Sequence, residues 1–153
     1  LTKLTGGAGF LFGWAKPVPV NFANLRRPKR DMLWVAAAGP GANLFMAILW
    51  ALLVKLADAM PESDLARPML LMGQAGIQIN AVLLVLNLLP LPPLDGGRIA
   101  VSLLPHRLAY RFAQIEPYGM MILILLLFTG VLGAIIWPFI QMTIQMVAWL
   151  TGL

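Results

Sequence analysis

"NLLPLPPLDGGRI", residues 87–99, decides how this chain folds. The stretch closes a long apolar run. It then places Pro90, Pro92, Pro93, Asp95, Gly96 and Gly97 within eight positions. Proline donates no backbone N–H and forces the residue before it out of the helical region, so a helix arriving from residue 69 must stop here and continue as an extended link. A short helix is then predicted over 94–104, starting at about Asp95 and ending before Pro105.

Working back from this break, 69–90 reads as a membrane span. Gly73, Gly76, Asn80 and Asn87 fall on one side of it, since positions 80 and 87 differ by almost two whole turns. A stripe of small and amide residues faces protein, not lipid. An earlier span covers 31–56, clearest over 32–54, which is longer than the roughly 20 residues that cross a hydrocarbon core. It holds "AAAGPGAN" (36–43), where small residues admit a neighbouring helix and Pro40 is expected to kink the chain. Forward of the break, "HRLAYR" (106–111) is basic and interfacial, and 117–150 supplies one or two further spans. The apolar run 116–137 is the third span. Beyond Pro138 the chain either extends it as a kinked helix or turns back near Gly130 to Gly133.

Composition agrees with lipid as the solvent. Of 153 residues, 60% are hydrophobic and 11% charged, with a mean hydropathy of +0.84. Soluble domains carry about 25% charged residues. The net charge of +5 does not indicate nucleic acid, because the basic residues lie between apolar stretches and no stacking pattern of aromatics accompanies them. Absence of cysteine excludes disulfides and thiolate metal sites. The positive-inside rule puts Arg26 to Arg30 and Arg98 to Arg111 in the cytoplasm and the acidic loop 57–68 outside, which leaves Asp95 at the cytoplasmic end of the second span.

Residues 1–30 form a strand and loop region. In "GWAKPVPVN" (13–21), Pro17 and Pro19 remove two donors from one strand edge. The other edge keeps the N–H groups of Lys16, Val18 and Val20 and is able to pair with an added strand. Other polar residues have plainer readings. Asn43 and Asn80 are interhelical hydrogen-bond formers, Gln74 and Gln78 do the same or line a water path, and His106 is an interfacial side chain. Asp95 has two readings. It caps the short helix, with Arg98 near it, or it is a metal ligand or proton carrier.

Asn87, Pro90, Pro92, Leu94, Asp95 and Gly96 match the Asn-x-x-Pro-x-Pro-x-Leu-Asp-Gly signature, and the chain resembles the site-2 protease family, the intramembrane zinc metalloproteases. "FGWAKPVPVN" (12–21), "NLRRPKRDMLWVAAAGPGAN" (24–43) and "EPYG" (116–119) are similar to further segments of its small, PDZ-less branch. The resemblance implies an all-α polytopic membrane protein with three to four transmembrane helices, in one membrane-embedded domain over 1–153. An N-terminal re-entrant β-strand or hairpin and a helix broken at Leu-Asp-Gly go with it. It implies zinc-dependent cleavage of transmembrane protein substrates in the lipid bilayer of the cell's inner membrane, with Zn2+ as cofactor. By position Asp95 would be the third zinc ligand, and Asn87 would orient substrate or stabilise the oxyanion. Pro90, Gly96, Gly97 and Asn43 would support the site, the glycines by keeping side chains clear. The strand edge at Lys16, Val18 and Val20 would hold the unwound substrate. The family's His-Glu-x-x-His helix has no counterpart here and is expected before Leu1, so the chain as given is expected to be inactive. A non-catalytic homologue and a small transporter using Asp95 as an ion site are the alternatives, and the oligomeric state is left open.

Overall fold

The computed structural model describes residues 28–153, and all regular structure among them is helical. The order is α1 (Pro28–Asp58), α2 (Ala66–Leu88), α3 (Asp95–Leu103), α4 (His106–Ala113), α5 (Glu116–Phe128) and α6 (Val131–Thr151). The expected re-entrant strand, with Lys16, Val18 and Val20, lies outside the described residues. Residues 28–30, read from sequence as loop, already belong to α1. Proline's fixed φ suits a first helical position, and Asp31 in the first turn favours the helix dipole.

Local chemistry sets the breaks. Leu89 and Leu104 each precede a proline and are extended, with ψ of 131° and 149°. Gly130 adopts a left-handed φ of 74°, which costs a residue without Cβ little, and this separates α5 from α6. The apolar run 116–137 is therefore not one span. Hydropathy is continuous across Gly130, but the helix is not. The third crossing is shifted along the chain into α6, which runs on through Pro138.

Close approach of backbones holds α1 and α2 together. A methyl group at Gly73 would meet Val54 and the Trp50 carbonyl, and one at Gly76 would collide with the Trp50 ring. The predicted stripe on the second span thus faces α1. Asn80 departs from its expected role, since its amide donates to the Gly76 carbonyl of its own helix at 2.8 Å and makes no interhelical bond among the described residues. Gln74 and Gln78 are exposed. Two apolar clusters form the core. One joins Ala47, Ala51 and Val54 of α1 to Ile77 and Val147, and the other joins Ala81, Leu84 and Val85 of α2 to Leu132, Ile136 and Ile140 of α6.

These contacts fix the course of the chain. Among the described residues three helices are long and apolar enough to cross a membrane: Lys29–Asp58, Ala66–Leu88 and Val131–Thr151. Helices α4 and α5 qualify only as a pair, bent by 60°. Lys55, in the last turn of α1, donates to the Thr151 carbonyl at 2.6 Å, so α1 and α6 end on the same side. Early α6 packs beside late α2, so α6 starts where α2 finishes. Gly119 of α5 is pressed against the Pro92 carbonyl on that same side. Leaving and returning on one side makes α4–α5 a re-entrant pair, which leaves three crossing helices among the described residues.

The chain has no cysteine, so single introduced thiols report topology directly. Ser63→Cys and Leu153→Cys should react with an impermeant maleimide from the same face of sealed vesicles, and Pro105→Cys from the opposite one. Labelling of Leu153→Cys together with Pro105→Cys would mean that α4–α5 crosses.

Candidate functional site

Asp95 is the first residue of α3 and is half-buried. It does not act as a cap. The capping position is Leu94, and α3 has no side-chain cap hydrogen bond. Its carboxylate instead lies against α1, where a methyl group added at Gly39 would collide with Oδ2. Gly39 is eight residues past Asp31, the last charged residue before the apolar stretch, which at 1.5 Å per residue is roughly 12 Å into the span. Among the described residues this carboxylate has no hydrogen bond and no ion pair. At the centre of a span a charge costs about 2.5–3.5 kcal/mol on insertion scales, and no group among the described residues offsets it here.

The register of α1 against α2 adds a second group. Gly76 faces Trp50. Asn87 lies eleven residues beyond Gly76, and Gly39 lies eleven residues before Trp50. Eleven residues make three helical turns to within about 20°, so each returns to the same face and the antiparallel pairing carries through. Asn87 therefore stands level with Gly39 and the Asp95 carboxylate. It is half-buried, and its amide has no hydrogen bond among the described residues. Asn43 is one turn further along the same face of α1, also half-buried and likewise unbonded.

Gly96 and Gly97 serve a different purpose from the one expected of them. They do not clear space at Asp95. A side chain at Gly96 would run into the carbonyl oxygens of Leu88 and Leu89, and one at Gly97 into Leu91 and Pro92. Both glycines are buried because the turn folds back onto the end of α2. Pro90 is exposed and borders an apolar groove of about 810 Å³ between α2 and α6, away from Asp95. A smaller cavity of about 310 Å³ lies behind the turn, between Pro92, Gly97, Arg98 and Glu116.

Gly39 is the residue that sequence reading did not single out. Its signal was a lone glycine before Pro40, legible as a small-residue contact but not as the seat of a carboxylate. The second missed position is Gly119, the last residue of "EPYG", whose bare Cα lets α5 close onto Pro92.

As a metal centre the described residues supply one arm. Three protein ligands are usual at a catalytic zinc. No group of three or more His, Cys, Asp or Glu is brought together among them. His106 is exposed at the start of α4. What the structure does offer is an inward-facing carboxylate oxygen, unpaired among the described residues, in a cradle that a single Cβ would fill, which is the donor type that suits zinc.

A model for peptidase family M50 matches residues 55–130, which include Asn87, Asp95 and Gly119. A curated protein of Bacillus subtilis (strain 168), "Putative zinc metalloprotease YwhC", is 37% identical over 133 residues. The match covers 85% of this chain and 61% of that relative, so the chain spans about three fifths of the relative's length. No solved structure matches.

Proposed function

This chain belongs to peptidase family M50, the site-2 protease family, and on that premise we propose that it forms part of a zinc-dependent endopeptidase cutting peptide bonds in or near transmembrane segments. The observation that carries the reading is the Asp95 carboxylate, without a partner among the described residues and turned onto Gly39 between two spans. A carboxylate kept for solubility would turn to water. One kept for structure would have a partner.

In this reading Asp95 contributes one anionic oxygen ligand, with the remaining ligands coming from outside the described residues. Zinc held there supplies Lewis acidity and lowers the pKa of water to about 7. The chain's own residues provide the geometry. Gly39 lets the carboxylate seat against α1. Gly96 and Gly97 press the turn onto α2 and fix the angle at which α3 presents Asp95. Asn87, level with that oxygen and unbonded, holds the substrate carbonyl and donates to the charge that develops on it. Asn43 lies one turn further along the same wall. Lys16, Val18 and Val20, outside the described residues, would hold the unwound part of a transmembrane substrate. In the same reading the site faces the cytoplasm of a multi-pass inner-membrane protein, which the basic residues near the Asp95 side support through the positive-inside rule.

The test uses the full-length protein in proteoliposomes with a transmembrane reporter. Cleavage should stop on chelation and return on adding zinc. Cleavage indifferent to chelators would exclude the metal. Bound zinc with no cleavage of any transmembrane reporter would favour a binding homologue.

A further inference from the structure

Helix α4 carries a basic face that the proposed chemistry does not use. Arg107 and Arg111 stand at i and i+4, so both guanidinium groups leave the same side of the helix. Both are exposed, and neither has a hydrogen bond or ion pair with any described residue. Pro105, Leu108 and Tyr110 complete a shallow depression of about 560 Å³ with them. Leu108 is 52% and Tyr110 69% exposed, while the opposite side of the helix is anchored by buried Ala109. Lys29 donates to the Leu104 carbonyl at 2.8 Å and so brings the first turn of α1, with exposed Arg30, beside the start of α4.

We infer that α4 is a binding site for the phosphate headgroup of an anionic membrane lipid. A planar guanidinium matches phosphate oxygens in a two-pronged geometry, and two of them one turn apart can share one phosphate. Charge selects an anion. The exposed Leu108 and Tyr110 then select a lipid over a soluble anion, because an apolar side chain and an amphipathic ring beside paired arginines are the composition of a helix lying in the headgroup layer. Position agrees, since α4 follows α3 and opens the bent pair α4–α5 on the basic side of the protein. An acidic protein segment would use the arginines and leave Leu108 exposed.

The full-length protein in dodecyl maltoside micelles, doped with dioleoyl phosphatidylglycerol or dioleoyl phosphatidylcholine, is read by native mass spectrometry. Wild type should retain phosphatidylglycerol in preference to phosphatidylcholine. Arg107→Gln with Arg111→Gln should weaken that retention about tenfold or more, given about 1 kcal/mol for each basic residue at an anionic surface. Arg107→Lys with Arg111→Lys keeps the charge and should retain part of the preference, which guards against a misfolded glutamine pair. Arg67→Gln, on the far side, should change nothing. Equal retention of the two lipids, an unaffected glutamine pair, or an equal loss with Arg67→Gln would overturn the assignment. So would displacement of the lipid by millimolar inorganic phosphate, which would make this a free-anion site.

Discussion

Asp95→Asn is expected to yield a protein that is more stable than wild type and without activity. The substitution keeps shape and removes charge. A carboxylate at the centre of a span costs about 2.5–3.5 kcal/mol on insertion scales, and at roughly 12 Å into the span the amide relieves part of such a cost. Function should move the other way. Loss of a partner that merely orients a ligand costs 10–100-fold in metal affinity or activity, so loss of the ligand itself should cost at least about 100-fold. Zinc content, peptide cleavage and thermal unfolding of the full-length protein together check the prediction. Asp95→Glu should also fail, because Gly39 leaves no room for a longer side chain to keep its oxygen in place. A capping role predicts the reverse pattern, with stability lost and zinc retained. That result would remove the basis of the proposed site.

The second large effect separates two glycines that lie two residues apart on one helix. Gly39→Ala puts a methyl group into the Asp95 carboxylate, while a methyl group at Gly41 meets nothing within 4 Å. Both changes improve helix propensity by up to about 1 kcal/mol. Gly41→Ala should therefore be neutral or slightly stabilising, with full activity. Gly39→Ala must push α3 away from α1 or rotate the carboxylate. Misplacement of a reacting group by about 1 Å costs on the order of 100-fold in rate. Measured cleavage and zinc affinity should fall in the first variant and hold in the second. Equal behaviour of the two would show that the carboxylate does not depend on this contact.

Much of the architecture was legible because membrane folding starts from strong one-dimensional constraints. Apolar length marked the spans at α1 and α2, and the prolines at 90, 92, 93 and 105 marked the ends of α2 and α3, since proline acts on its immediate neighbours. The stripe at Gly73 and Gly76 pointed correctly to a helix contact. Legibility failed where two outcomes share one composition. The run 116–137 is apolar on both sides of Gly130, and hydropathy does not register a single left-handed residue. Asn80 was read as an interhelical donor, although its own helix offers the Gly76 carbonyl one turn back. Gly96 and Gly97 suggested space for a metal, while their neighbours prove to be the carbonyls that end α2.

The sequence alone determined that this chain carries segments long and apolar enough to cross a membrane, where its helices break and which carboxylate lies at the break, because each of these follows from residues within a turn or two of one another. Tertiary structure alone decided what that carboxylate faces. Gly39 and Asn87 are distant from Asp95 or on another helix, and only the eleven-residue register between antiparallel α1 and α2 makes them level. The same is true of the path of α4–α5. Lys55 on Thr151 and Gly119 on Pro92 join residues far apart in the chain, and such pairings leave no local pattern to read.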